Sequence, residues 1–299
     1  MMGISDVRTW MYVPGDSRRK LDKSLSAGPD AVLADLEDAV SASGKDAARD
    51  CLASWLADVD PAAPRPRLWV RVNAGSVADD VAAAMHPLVE GFCLPKVESP
   101  DEVAAMSSVL DRLEPAGSAR RPLMLMVETA RGVLRCRDFA SASDRVALFQ
   151  LGEQDLRADL GLPPDLSKGA DPLPGPMQAA RDGVVIASAA SGLAGSVGPV
   201  SVNIHDADLL RTETARLRHA GFSGRALIHP AQIEPIAAAF APTDAEAQWA
   251  RKVVEAADAA EAEGIGVVVV DGGMVDAPVV ATARALLRRA TTTRPPSPK

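Results

Sequence analysis

Three features of the 299-residue sequence predict a (β/α)8 TIM barrel with a C-terminal helical and hairpin extension. Short apolar runs of strand length alternate with longer segments of helical spacing from Trp10 onward. Eight such repeats fit within about 240 residues, close to the roughly 250 residues typical of this fold. No glycine-rich dinucleotide fingerprint follows the first run, so a doubly wound open sheet ranks second.

The expected strands are Trp10–Val13, Ala31–Leu36, Leu68–Val72, Gly91–Pro95, Leu123–Val127, Val146–Leu151, Val197–Ile204 and Arg225–Ile228. Between them, segments such as VADDVAAAMHPLVE, SPDEVAAMSSVLDRLE and DLLRTETARLRHAG have helical periodicity. After the last strand, DAEAQWARKVVEAADAAEAEG places Trp249, Val253 and Ala257 at four-residue spacing, which predicts a helix. VVVVDGGMV then reads as a small hairpin turning at Asp271-Gly272-Gly273, and a final helix starts near Asp276. The expected division is a catalytic barrel over 1–240, an extension over 241–293 that serves as lid or oligomerisation element, and a disordered polar tail over 294–299.

In a barrel of this kind the chemistry lies at the C-terminal ends of the strands. The residues there are VPGD, DLEDA, RVN, PKVES, ETARG, GEQDL, NIHD and IHPAQ, in chain order. The fifth and sixth runs end at Glu128 and at Glu153 with Asp155. Two adjacent parallel strands ending this way set carboxylates side by side, and one or two carboxylates are what the protein usually gives Mg²⁺. Acidic residues that simply follow a strand out of the core explain either run taken alone.

Arg71 shares a face of its strand with Trp69 and Asn73, while valines occupy the other. A charged residue in a strand needs a partner. It is either an ion pair with a barrel carboxylate or a planar fork for a substrate oxygen, and the two are compatible. Asp35, Glu37 and Asp38 crowd the end of the second strand and call for a nearby cation or arginine; Lys96 is either that counter-charge or a solvated lysine. Acidic residues opening a helix are the simpler alternative. His205 and His229 have no paired spacing and read as structural, hydrogen-bonding histidines. Arg18, Arg19, Lys20 and Lys23 open the first helix; they are candidates for phosphates, or a solvated face. The Pro/Gly-rich stretch from Pro163 to Met177 reads as a long loop.

A net charge of −8 argues against a nucleic-acid surface. No run has the length of a membrane span, and the N-terminus has no apolar signal stretch. Three scattered cysteines, Cys51, Cys93 and Cys136, suit a reducing compartment, so a cytoplasmic protein is expected.

Together the pieces TWMYVPGD, VLADLEDAV, VRVNAG, LPKVES, VETARGV, the Asp-Leu of GEQDL, ALIHPAQI and GGMVDAPVV resemble the citrate lyase β-subunit-like proteins of the HpcH/HpaI aldolase superfamily. The resemblance spans about Arg8 to Arg289. It implies that Glu128 and Asp155 are the Mg²⁺ ligands, that Arg71 contacts the 2-oxoacid fragment, and that Glu37 and Asp38 hold the metal's water ligands. It implies further that Arg18, Arg19 and Lys23 lie where coenzyme A phosphates bind, and that Asp276 reaches a neighbouring subunit's active site in a homo-oligomer, a trimer or hexamer. The family's usual residues differ at Glu153, Gln154 and the Val202–Asp206 stretch, and in the Pro-rich loop.

The expected activity is Mg²⁺-dependent cleavage or formation of a 3-hydroxy-3-carboxyacyl-CoA, such as citramalyl-CoA or malyl-CoA, to a 2-oxoacid and acetyl-CoA. The alternatives are a citryl-thioester lyase subunit of a carrier-protein complex, a CoA-independent 2-oxoacid aldolase, and an inactive barrel that binds CoA esters or a partner.

Overall fold

The structure is a computed structural model and describes residues 3–163, 175–202 and 204–291. Eight parallel strands follow one another around a closed barrel: β1 (Thr9–Pro14), β2 (Ala31–Asp35), β3 (Arg67–Arg71), β4 (Val89–Leu94), β5 (Leu123–Val127), β6 (Val146–Leu151), β7 (Gly195–Gly198) and β8 (Gly224–Leu227). Closure is direct, with Trp10 of β1 paired to Ala226 of β8. The connecting helices are α1 (Arg18–Ala27), α2 (Lys45–Asp58), α3 (Val77–Ala83), α4 (Pro100–Leu113), α5 (Ala130–Phe139), α6 (Glu153–Asp159), α7 (Gly175–Ala190), α8 (Ala207–His219) and α9 (Ile233–Phe240).

Strand alternation sorts the side chains into two cores. Trp10, Leu33, Trp69, Met124 and Leu148 fill the barrel interior, and Trp10 meets Trp69 edge to face with ring centroids 5.3 Å apart. Leu68, Val70, Leu125 and Phe149 face outward into a larger core shared with the helices. Trp69 and Arg71 therefore lie on one face of β3 with the apolar residues on the other, as the alternation requires.

Two elements depart from expectation. β7 is Gly195–Gly198 rather than Val197–Ile204. Pro199 has no N–H to continue the ladder, and Val200 and Val202 belong instead to the loop above it, where they line a cavity. Helix α3 stops at Ala83 instead of running through VADDVAAAMHPLVE. Pro87 cannot extend it, and Val89, paired with Leu68, starts β4. The loop expected over Pro163–Met177 lies outside the described residues from 164 to 174, and Gly175–Met177 opens α7. Asn203 and the tail from 292 also lie outside them.

Beyond the barrel, α10 (Asp244–Ala262), the antiparallel pair β9 (Val268–Val270) and β10 (Gly273–Val275), and α11 (Ala277–Thr291) share a small core of Ala250, Val253, Val275 and Ala283. The hairpin turns through Asp271 and Gly272 alone, with φ of 49° and 82°. Positive φ at both central residues marks the tight turn that matches strand twist. Thr243 and Glu246 cap α10 reciprocally. Arg218 of α8 clasps Glu246 at 2.9 and 2.8 Å, and Arg8 donates to the carbonyl of Arg289 at 2.5 Å. Arg8 immediately precedes β1, so these ties fix the helix pair at the N-terminal face of the barrel. No helix among the described residues is long and apolar enough to cross a membrane.

Candidate active site

The C-terminal ends of the strands enclose a cavity of about 710 Å³. Tyr12 and Pro14 come from β1, Asp35 and Asp38 from the end of β2, Arg71 from β3, and Met126 and Glu128 from the end of β5. Gln150 and the segment Gly152–Asp155 come from β6, with Val200, Val202, Ile228 and His229 on the β7 and β8 side.

Arg71 sits at the end of β3, its side chain only 9% exposed. Its Nε and Nη2 donate to the two oxygens of Asp35 at 2.8 and 2.6 Å, a two-bond fork that fixes the guanidinium plane. Nη1 lies 2.9 Å from Glu37 and 3.9 Å from Asp38. The Tyr12 ring lies beneath, 4.9 Å from the guanidinium carbon. Burial alone would lower the Arg71 pKa, but the Asp35 fork outweighs it and leaves the group raised. Asp35 also accepts the backbone N–H groups of Glu37 and Ala39, which shapes the turn after β2. Both readings of Arg71 made from the sequence are thus compatible: it is ion-paired, and it borders the cavity.

Lys96 is the cation that the acidic cluster requires. Its Nζ donates to Glu37 at 2.7 Å and to Asp38 at 3.2 Å, and stands 3.9 Å from Asp155. Burial would raise the Asp38 pKa, yet the hydrogen bond from Lys96 holds it below the usual value. Lys96 has φ of 52°, a left-handed conformation costing on the order of 1–3 kcal/mol for a non-glycine residue. That conformation turns its N–H onto Glu128 Oε1 at 2.7 Å while its side chain crosses to the β2 end.

Glu128 is fully buried, and its Oε2 has no partner among the described residues. Gly152 makes the room: a Cβ there would stand 2.4 Å from Glu128 Oε2 and 2.6 Å from Glu128 Cβ. Burial, and then the charge of Asp155, push the Glu128 carboxyl up to about 8. A buried carboxylate with an open oxygen, close enough to a second carboxylate to feel its charge, is a donor set that suits a hard divalent cation, and oxygen-only donors suit Mg²⁺. Among the described residues there is no group of three metal-ligating side chains. Glu153, the other acid of this segment, is bound by Arg181 at 2.5 and 3.0 Å, so its charge is spent outside the pair.

The basic cluster divides. Arg19, Lys20 and Lys23 line the cavity, with Arg19 and Lys23 one helical turn apart on one face of α1. Arg18 does not: it turns toward α2, with Nη1 2.8 Å from Asp58 and Nε 3.6 Å from Asp22. Asp276 also lies outside the cavity lining of its own chain. It caps α11, accepting the Val279 N–H at 3.3 Å, at the opposite end of that helix from Arg289. His229 accepts from the Ala231 N–H at 3.2 Å, a structural role at the cavity rim. Sequence reasoning missed Tyr12, Met126, Gln150 and Gly152. Gln150 carried a usable signal, a polar residue within an apolar strand, the same one that drew attention to Arg71.

Fold and cavity together define an enzyme of the barrel class with a pair of carboxyl groups, Glu128 and Asp155, at its mouth. The chain belongs to the HpcH/HpaI aldolase/citrate lyase family, whose sequence model matches residues 8–230. It is 35% identical over 288 residues to a (3S)-malyl-CoA thioesterase of Cereibacter sphaeroides, covering 95% of this chain and 94% of that protein. It is 31% identical over 293 residues to the citrate lyase subunit beta of Leuconostoc mesenteroides, covering 95% and 93%. Among solved structures, CitE from Mycobacterium tuberculosis in complex with magnesium, acetoacetate and coenzyme A superposes with a TM-score of 0.78 at 29% identity, covering 96% of this chain and 100% of that one.

Proposed function

We propose that this chain is a Mg²⁺-dependent carbon–carbon lyase that cleaves or forms a 3-hydroxy-3-carboxyacyl-CoA, with citramalyl-CoA or malyl-CoA as the type and a 2-oxoacid and acetyl-CoA as products. The observation that carries the reading is the buried Glu128 carboxylate with its open Oε2 beside Asp155. Glu128 and Asp155 would hold the metal, with Glu37 and Asp38 at its edge. Bound there, Mg²⁺ supplies Lewis-acid polarisation of the oxygen that becomes the ketone.

Arg71, fixed in its plane by Asp35, stabilises negative charge on the 2-oxoacid fragment without reorganising. Lys96 holds Glu37, Asp38 and Glu128 in place and offsets their repulsion. Arg19, Lys20 and Lys23 on the cavity wall favour a substrate with phosphates, and so a CoA ester over a free acid. The hydroxyl proton passes to water as the carbon–oxygen double bond forms, the bond between the acyl α-carbon and the hydroxyl-bearing carbon breaks, and its electron pair passes to the thioester as an enolate, which takes a proton at carbon. Asp276 of a neighbouring subunit is the proposed acid, and the base in the reverse condensation.

A homo-oligomer, trimer or hexamer, is the proposed assembly. What supports it is the apolar exposure of the hairpin region: Val269 is 72% and Met274 67% exposed, with Ile265 and Val267 beside them. The cysteines are free thiols, in keeping with the reducing cytoplasm proposed for the protein. Turnover of a panel of malyl-, citramalyl- and citryl-CoA esters with and without Mg²⁺ tests the reading. Metal-dependent release of a 2-oxoacid and acetyl-CoA is expected, and no release from any ester would overturn it.

A further inference from the structure

The floor of the cavity carries a polar pair that the proposed chemistry leaves unused. The Tyr12 hydroxyl, in the barrel interior, has two neighbours: Gln150 Oε1 at 2.9 Å and Met126 Sδ at 3.5 Å. A thioether is a weak acceptor, so the phenol proton goes to Gln150 Oε1. That fixes the orientation of the amide and leaves its NH₂ as the free end. Gln150 is only 1% exposed, it lines the cavity, and no acceptor meets its Nε2 among the described residues. An amide NH₂ held in place at the cavity wall and without an acceptor is a donor waiting for one.

Its position says what it meets. Gln150 and Gly152 lie on the same face of β6, and Met126 and Glu128 on the same face of β5, so the amide is one side-chain layer, roughly 7 Å along the strand, below the Glu128 carboxylate. Arg71 joins the two layers, its Nη1 3.8 Å from Met126 Sδ and its plane over the Tyr12 ring. A fragment gripped by Arg71 presents to Gln150 whatever projects from it toward the barrel interior. The surroundings also select the charge of that group. The Arg71 charge is already committed to Asp35 and Glu37, and the remaining neighbours are a thioether and a phenol. A neutral amide alone does not offset the burial of a second carboxylate.

We infer that Gln150, oriented by Tyr12, is a specificity-determining residue that selects a 2-oxoacid fragment with a neutral hydroxyl on the carbon next to its oxo carbon. This rests on the lyase reading above and narrows its substrate class: the ester favoured carries a hydroxymethyl group on carbon 3, over the citramalyl and malyl esters that exemplify the class. The test is calorimetric titration, with Mg²⁺ present, of pyruvate, 3-hydroxypyruvate and oxaloacetate into the wild-type chain, Gln150→Leu and the nearly isosteric Tyr12→Phe. The first two ligands differ by one hydroxyl. The wild type should bind 3-hydroxypyruvate about tenfold or more tighter than pyruvate, and tighter than oxaloacetate. Gln150→Leu should abolish that preference while still binding pyruvate, and Tyr12→Phe should reduce it. An unchanged preference in both variants, or wild-type affinity highest for pyruvate or oxaloacetate, overturns the assignment of Gln150 and leaves the lyase reading standing. Failure of all three 2-oxoacids to bind any form overturns both.

Discussion

Replacing Gly152 by alanine tests the candidate cation site at one atom. The added Cβ would stand 2.4 Å from Glu128 Oε2, 2.6 Å from Glu128 Cβ and 3.2 Å from Glu128 Cδ. Rotation of the glutamate clears the first contact but not the second, because its Cβ moves only with the backbone. β5 and β6 must part locally, and a swing of Glu128 that clears Oε2 breaks the 2.7 Å bond from the Lys96 N–H. Overpacking of this kind costs about 1–3 kcal/mol, and a hydrogen bond to a charged group is worth about 1.5–3 kcal/mol. The melting temperature should fall by roughly 2–10 °C. Mg²⁺ affinity, measured by calorimetry on the folded variant, should fall about 10–100-fold, the range seen when a group that orients a metal ligand is lost. Gly183→Ala is the control. Gly183 lies within α7 with nothing within 4 Å of an added Cβ, and alanine there should stabilise by about 0.5–1 kcal/mol. Wild-type Mg²⁺ affinity and melting temperature in Gly152→Ala would refute the seating of Glu128 against Gly152.

Arg71→Lys should fold yet lose about 10²-fold or more in kcat, because lysine keeps the charge but not the two-bond fork to Asp35; steady-state turnover near wild type would make Arg71 a structural residue. Asn caps a helix about as well as Asp, so Asp276→Asn should cost less than about 1 kcal/mol in denaturant unfolding while lowering activity about 10²–10⁴-fold. Mixing Asp276→Asn with Glu128→Gln subunits should restore part of the activity after exchange; no recovery would show that Asp276 acts within its own chain or only as a cap. Lys23→Ala or Arg19→Ala should weaken coenzyme A binding about tenfold, whereas Arg18→Ala, which breaks only exposed pairs with Asp58 and Asp22, should leave it within about twofold. Equal losses at all three positions would mean that the cluster acts as a diffuse field rather than a built wall.

The barrel was legible because its signals are local. A period of two in WVRV and a continuous apolar run in LMLMV are properties of a few adjacent residues, and the right-handed parallel crossover leaves few ways to arrange eight of them. The same alternation assigns Trp69 and Arg71 to one face of their strand. The ends of the strands followed, and with them Glu128, Asp155 and the DLEDA cluster, because in this fold strand ends and cavity coincide. It failed at β7, where glycine suppresses the strand signal of Gly195–Gly198 and the apolar Val200 and Val202 imitate it one turn too late.

What only the tertiary structure decided is which of several equivalent side chains meets which partner. Arg18 and Arg19 are neighbours in sequence, yet the helix sends one to Asp58 on α2 and the other to the cavity. Glu153 and Asp155 look alike as strand-end acids until Arg181, 28 residues away, claims the first. Gly152 is an ordinary glycine in the sequence and a seat for Glu128 in the fold. Charge pairing and close packing depend on contacts between residues distant along the chain, which no local pattern encodes, and so the chemistry of the site becomes specific only once the barrel has closed.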